Sequence, residues 1–334
     1  MTKKYNWAIL GCGRIAGKFA ADLKLLSNAI LYAAASRDIT RAKEFANQFG
    51  FEKAYGSYDE MLNDPNVDAV YIATPHSHHR EHTLLCLTNK KAVLCEKAFA
   101  MNLNEVKEMV ACAKENNTFL MEAFWTIFQP SFAKAMEIIK SGELGSLKIV
   151  RSDFAFNAPY LEDKRLYNTE LGGGSLLDIG IYPVFAALTS LGVPETIKSF
   201  ADFSPTGSEE SLNIIFKYSG GEMANLTSSF AAYSPVQTEY LCEKGYLVLN
   251  PRWHSPTDIT IWKEGGEVST IKSKHREGTG YQYEAKHVME CLDAGLIESP
   301  KMSWQMSLDL MGIMDRIRID AGVFYPGHDK NLFL

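Results

Sequence analysis

Gly11-Cys12-Gly13-Arg14-Ile15-Ala16 reads G-x-G-x-x-A. Gly11 permits a tight turn, Gly13 lets a pyrophosphate approach the backbone, and the small Ala16 lets a helix pack close to a strand. Backbone amides and the helix dipole of such a turn hold an anion. Gly11, Gly13, Arg14, Ile15 and Ala16 are therefore a candidate dinucleotide-binding loop. A ribose-reading residue is expected about 20 residues further on, and there the chain reads Ala35-Ser36-Arg37-Asp38. A carboxylate at the strand tip would bind a free 2′-hydroxyl, whereas the hydroxyl of Ser36 and the guanidinium of Arg37 suit a 2′-phosphate. The pattern predicts NADP(H) over NAD(H). The competing reading leaves Arg37 in solvent and makes Asp38 a helix cap.

Thr74-Pro75-His76-Ser77-His78-His79-Arg80-Glu81-His82 invites a metal reading, because His78 and His82 stand four apart. No H-E-x-x-H pattern and no third ligand at an obvious spacing accompany them, so no metal is expected. A strand-end loop that opens a helix fits better, with Thr74, Pro75, His76 and His79 beside the cofactor. Cys95-Glu96-Lys97 closes a buried apolar run, and the carboxyl ends of parallel strands border the ligand crevice. Glu96 and Lys97 are candidates for that crevice. Lys97 could hold positive charge near a substrate oxygen, or exchange a proton if burial lowers its pKa. An ordinary Glu–Lys surface pair is the alternative.

Gly172-Gly173-Gly174-Ser175-Leu176-Leu177-Asp178-Ile179-Gly180-Ile181-Tyr182 leads three glycines into a helix. Asp178 and Tyr182 are four apart and share a helical face. An acid and a phenol there could bind a hydroxyl and pass its proton. Against this, Ser175-x-x-Asp178 resembles a capping box, and Tyr182 could be plain core. Pro183 lacks a backbone donor and is expected to kink the helix.

The elements that must position these residues fall into two styles. Residues 6–10, 29–36, 67–74, 92–95 and 118–123 read as strands, and helical stretches at 14–26, 40–49, from 57, and from 102 alternate with them. Ser57-x-x-Glu60 and Asn102-x-x-Glu105 are helix-start signals. Such alternation means a parallel, doubly wound sheet. From about residue 146 the pattern changes to strand-like runs at 147–156, 212–218, 222–230, 238–242, 246–249 and 258–262, followed by helical segments near 281–294 and 303–321. The fold class is α/β. A dinucleotide-binding domain is expected over 1–123, and a substrate-binding and oligomerisation domain with a mostly antiparallel sheet over 124–334.

The length of 334 residues fits about two domains. Hydrophobic residues at 46% and charged residues at 22% are ordinary for a globular protein and exclude disorder as the main state. A net charge of −6 speaks against a nucleic-acid partner. The N-terminal stretch reads as neither a signal peptide nor an anchor, and no membrane association is expected. Six cysteines are scattered without a C-x-x-C pair, as in a reduced cytoplasmic protein.

In order along the chain, G-x-G-x-x-A, Glu96-Lys97 and Gly172–Gly180 resemble the glucose–fructose oxidoreductase/inositol dehydrogenase/rhizopine-catabolism (Gfo/Idh/MocA) superfamily. Met121-Glu122-Ala123-Phe124-Trp125-Thr126 is similar to its dimeric dihydrodiol dehydrogenase branch. So are Asp178-Ile179-Gly180-Ile181-Tyr182-Pro183 and the run from Tyr281-Gln282-Tyr283-Glu284 to Ile313-Met314-Asp315. The resemblance implies a Rossmann domain joined to an open-faced sheet. It implies hydride transfer between NADP(H) and a hydroxyl or carbonyl carbon of a sugar, polyol or vicinal diol. Lys97 matches the catalytic lysine, Asp178 the aspartate of the helix motif, and Tyr182 the tyrosine of the dihydrodiol branch. Trp125, Phe154 and Phe156 fall where that branch lines its substrate pocket, beside Tyr182. In the implied chemistry Tyr182 accepts the hydroxyl proton, Lys97 stabilises charge on oxygen, and Asp178 orients substrate or lysine. A homodimer through the open sheet face is expected. One departure is Ala98, where many members carry proline after the lysine. A non-catalytic, dinucleotide-binding regulator is the alternative within the same architecture.

Overall fold

The computed structural model describes residues 3–273 and 278–329. The chain falls into two compact units, Met1–Trp125 with Arg276–Leu308, and Thr126–His275 with Asp309–Leu334.

The first unit runs β1 (Tyr5–Leu10), α1 (Arg14–Leu23), β2 (Ala29–Ala35), α2 (Ile39–Phe49), β3 (Lys53–Tyr55), α3 (Tyr58–Leu62), β4 (Ala69–Ile72), α4 (His79–Thr88), β5 (Ala92–Glu96), α5 (Leu103–Asn116) and β6 (Leu120–Ala123). All strands pair in parallel in the order β3-β2-β1-β4-β5-β6. The order reverses between β1 and β4, which makes a ligand crevice at the carboxyl ends of those strands. Trp7–Leu10, Val70–Ile72 and Val93–Cys95 are fully buried, as central strands covered on both faces must be. The helix-start signals act as read: Ser57 accepts from the Glu60 amide and Asn102 from the Glu105 amide.

The second unit contains α6 (Pro130–Ser141), β7 (Leu147–Ala155), α7 (Ile181–Leu191), β8 (Thr196–Phe203), β9 (Glu209–Lys217), β10 (Met223–Ser229), β11 (Thr238–Cys242), β12 (Gly245–Leu249), β13 (Ile259–Lys263) and β14 (Glu267–Ile271). They form one sheet in the order β14-β13-β12-β11-β7-β10-β9-β8. Only β7 and β10 run parallel; the other neighbours are antiparallel. One face is covered by α6 and α7. The helical run Thr169–Leu191 is long and apolar enough to match a membrane span, yet 89% of its apolar window is buried inside the protein. It is the core helix of this sheet. Pro183 sits in the first turn of α7, directly after a π turn at Leu176–Gly180, so the helical run departs from regular α geometry just before the residue that lacks an amide.

Helix α8 (Tyr281–Asp293) belongs to the first unit, where it packs on α1, and α9 (Trp304–Ala321) follows it. The return is pinned by Asp22 of α1. Its buried carboxylate accepts the amides of Thr279, Gly280 and Tyr281 and the Thr279 hydroxyl, at 2.8–3.0 Å. A carboxylate at this helix start also complements the dipole. At the far end the Tyr5 hydroxyl donates to Asp293 at 2.6 Å. Asp22→Ala takes the acceptor from the Thr279 and Tyr281 amides, Gly280 keeping its bond to Gln282 Oε1, and is expected to cost about 2 kcal/mol. Urea unfolding should show a lower midpoint with an unchanged slope; a midpoint equal to wild type would show that α8 does not depend on this anchor.

Candidate functional site

Gly11 sits between β1 and α1 with φ +99, a conformation side chains other than glycine rarely adopt. A Cβ there would stand 2.9 Å from Thr74 Cγ2 and 3.1 Å from the Ala73 carbonyl. Glycine thus lets the β1–α1 turn lie against the loop after β4. Gly13 is the N-cap of α1, with no side-chain cap and no acid in the first turn. The Gly13 amide donates to the Gly11 carbonyl at 3.0 Å, the first-turn amides of α1 can receive an anion, and Ala16 is fully buried behind them. These features fit a dinucleotide pyrophosphate. Arg14 is exposed and Ile15 half-buried.

Ser36 is buried at the tip of β2, and its hydroxyl accepts the Asp38 amide at 3.3 Å. Asp38 caps α2, accepting the amides of Thr40 and Arg41. The cap half of the competing reading is therefore correct, and the strand tip presents a hydroxyl rather than a free carboxylate. Arg37 is exposed, and its charge acts on Tyr58 and His82. A second cation lies at the loop: Arg41 donates to the Cys12 carbonyl from Nε and Nη2, at 3.2 and 3.0 Å. Nothing in the sequence singled out Arg41, because its partner is a backbone atom of the preceding turn.

The histidines are tied to protein oxygens. His79 is fully buried, with Nδ1 2.8 Å from the Ala98 carbonyl and Nε2 2.8 Å from the Thr74 carbonyl. Burial holds its pKa down at about 4. His82 Nδ1 lies 3.0 Å from the Thr74 hydroxyl, and His76 packs edge-on to His79. Among the described residues no group of three or more His, Cys, Asp or Glu could hold a metal ion. His79 therefore joins the loop of Thr74, Pro75 and His76 to the loop after β5. On that second loop Glu96 is buried and accepts the Tyr71 hydroxyl and, at 3.2 Å, the Lys97 amide. Lys97 is half-buried. The Lys97–Ala98 peptide bond is cis although residue 98 is alanine. Glu122 anchors the next residue by accepting the Phe99 amide at 3.2 Å and the Ser307 hydroxyl at 2.7 Å. Burial raises the Glu122 carboxyl to about 7. The phosphate loop, the Thr74–His79 loop and the Glu96–Lys97 loop are thus brought together within the first unit. Trp125 ends the first of this unit's two segments, its ring stacked on Tyr281 of the second at 4.4 Å.

Asp178 and Tyr182 lie in the second unit. Leu176–Gly180 is a single π turn that runs into α7, not the regular α-helix expected from the spacing. Such turns recur at functional sites. The capping-box alternative fails: Ser175 makes no cap and pairs with the Ser228 hydroxyl at 3.0 Å, while Asp178 forms an ion pair with Arg165 at 2.9 Å. The Tyr182 ring is largely buried and framed by aromatics, with Phe154 at 5.5 Å, His254 at 5.0 Å and Trp253 edge-on at 6.3 Å. His254 also stacks on Phe154 at 4.6 Å. Phe156 packs on Phe230, in the cluster with Ala158, Tyr167 and Ile179 against which Phe154 also packs. Arg165 and His254 were not visible as site residues, since each is more than ten positions from its partner and carries no local motif.

Two family models match the chain. One, described as an oxidoreductase family with NAD-binding Rossmann fold, covers residues 5–124; the other, a GFO/IDH/MocA C-terminal domain, covers residues 132–248. The chain is 38% identical to a trans-1,2-dihydrobenzene-1,2-diol dehydrogenase of Xenopus laevis, over 96% of this chain and 99% of that protein. It is likewise 38% identical to a protein of that name from Bos taurus, over 98% and 99%. Among solved structures, a 3-ketoreductase from Actinomadura kijaniata in complex with NADP and TDP-benzene superposes with a TM-score of 0.87 at 24% identity, over 96% of this chain and 98% of that one. An aldose-aldose oxidoreductase from Caulobacter crescentus complexed with glycerol has the same score, identity and coverage. These structures establish a shared fold.

Proposed function

The chain belongs to the GFO/IDH/MocA oxidoreductase family, and on that footing we propose that it is an NADP(H)-dependent dehydrogenase/reductase of vicinal diols, polyols or sugars. The relation to dihydrodiol dehydrogenases over nearly the whole chain carries the reaction class. Gly11, Gly13, Arg14, Ile15, Ala16, Ser36 and Arg37 hold the dinucleotide, with Thr74, Pro75, His76, His79, Glu96 and Lys97 beside it. When bound, the nicotinamide exchanges a hydride with the substrate carbon. Tyr182 accepts the hydroxyl proton in oxidation and returns it in reduction. Lys97 stabilises negative charge on the same oxygen. Asp178, held by Arg165, orients the substrate. Trp125, Phe154 and Phe156 supply aromatic surface to it. The single supporting observation in this structure is the setting of Tyr182: a largely buried phenol at the start of a helix, four residues after a paired aspartate, among rings that can stack on a sugar or diol.

The test is to mix the protein with NADP+ and a panel of trans-dihydrodiols, pentoses and hexoses and follow the absorbance of reduced nicotinamide. Turnover of at least one panel member is expected. Lys97→Met should abolish it with cofactor affinity retained, and Tyr182→Phe should lower kcat by about 10²–10⁴-fold. No turnover by the wild type, or near-normal rates in both variants, would overturn the reading.

The choice of NADP(H) rests on Ser36 and Arg37. Titration of intrinsic fluorescence should give a lower Kd for NADPH than for NADH. Arg37→Ala should raise the NADPH value about tenfold or more, by loss of a charge-assisted bond, and leave the NADH value nearly unchanged. Comparable affinities for the two cofactors in the wild type would count against it.

We also propose a homodimer through the open face of the sheet. The register places Met223, Ile149, Leu241, Tyr246, Trp262 and Val268 side by side across six strands. Met223 is 42% exposed and Val268 62% exposed. Such an apolar row on a sheet face suits a self-complementary two-fold contact. Tyr246→Glu should shift the sedimenting species from twice the chain mass to the chain mass, and a wild type that sediments as a monomer would refute the dimer. All six cysteines are free thiols, which fits a reducing compartment, the cytoplasm.

A further inference from the structure

The turn that delivers Asp178 and Tyr182 needs something to hold its first amides, and the side chain at its N-cap does not do so. Ser175 stands at the N-cap position without capping. The acceptor comes from β9 instead: the Leu176 amide donates to Glu209 Oε1 at 3.0 Å. Glu209 is fully buried. On its other side the Tyr325 hydroxyl donates to the same oxygen at 3.4 Å. Tyr325 is fixed in turn, because its amide donates to Asp329 at 2.6 Å and the Arg318 guanidinium lies 4.6 Å over its ring. Arg318 itself is fully buried between Asp315 and Asp329, at 2.7 and 2.6 Å. Gly174 lies against the carboxylate, where an added Cβ would collide with both of its oxygens. Burial pushes the Glu209 carboxyl up to about 7, while the Leu176 amide, the Arg318 charge and the Tyr325 hydroxyl pull it down. A carboxylate placed there has no surface role, and besides its own amide it takes hydrogen bonds from the start of the Tyr182 turn and from the C-terminal segment.

We infer that Glu209 is a positioning residue for Tyr182: from a neighbouring strand it caps the π turn at Leu176 and so sets where the phenol stands. The inference rests on the role proposed above for Tyr182. An acceptor withdrawn from Leu176 lets the turn re-form as regular helix or fray. A displacement of order 1 Å at a reacting group costs about 10²-fold in rate.

The test is a double-mutant cycle read at saturating NADP+ with the best substrate of the panel, together with the cofactor Kd and the thermal midpoint. Glu209→Leu, of similar volume but with no acceptor, should lower kcat by about 10²-fold, with KM changed far less and the NADPH Kd within twofold of wild type. Glu209→Gln keeps an oxygen for the Leu176 amide and should restore most of kcat. In a Tyr182→Phe background, Glu209→Leu should slow the enzyme by no more than twofold further, since its effect runs through the lost phenol. Should Glu209→Leu not fold, Glu209→Asp, which keeps the acid but falls one methylene short, takes its place in the cycle with the same expectation. Losses that multiply in the double variant, or a folded Glu209→Leu with wild-type kcat, overturn the inference and leave the Tyr182 reading intact. A Tyr182→Phe enzyme with unchanged kcat overturns that reading and this inference with it.

Discussion

The first amides of every helix have no partner within the helix, and the way this chain satisfies them organises both units. Asp38, Ser57 and Asn102 serve the helices they precede. Helix α6 begins with proline, which removes one of the unmet donors, and α4 continues out of a tight 3₁₀ turn. Asp22 reaches across from another helix to the start of α8, and Glu209 from a strand to the start of the Tyr182 turn. Helix α1 has a glycine at its N-cap, no cap and no nearby acid. That start has the features of an anion site.

That pattern also explains what could be read from the sequence. Caps such as Asn102-x-x-Glu105, apolar runs such as residues 92–95 and the G-x-G-x-x-A turn are local, so the parallel half was legible almost element by element. The short strand Lys53–Tyr55 escaped notice because three residues carry no period. In the other half, β14 is almost wholly exposed and polar, and β8 carries an exposed Phe200 on its outer face, so neither shows a clean alternation. The attachment of α8 to the first unit depends on Asp22, more than 250 residues away. No window over the sequence contains both partners.

The candidate site divides along the same line. Its motif residues, among them Gly11, Lys97, Asp178 and Tyr182, announce themselves by type and spacing. The residues that fix them do not. Arg41 binds a carbonyl, His79 bridges two carbonyls, Arg165 and His254 meet their partners from distant loops, and Glu209 holds an amide. Backbone atoms are the same in every sequence, so a side chain that works by binding them leaves no signature until the fold is known. The π turn is a further case: four-residue spacing between Asp178 and Tyr182 is compatible with either helix, and the choice is made by packing.

The buried run Thr169–Leu191 has an implication for biogenesis. Helix α7 leaves the ribosome before β10 exists, and that strand completes a cover that β7 and α6 begin. For the seconds of synthesis that separate them, a segment as greasy as a bilayer anchor is left with part of its surface in water. A nascent chain of this protein is therefore a natural client for holdase chaperones, and truncation within the later strands would yield an aggregating product rather than a smaller folded one.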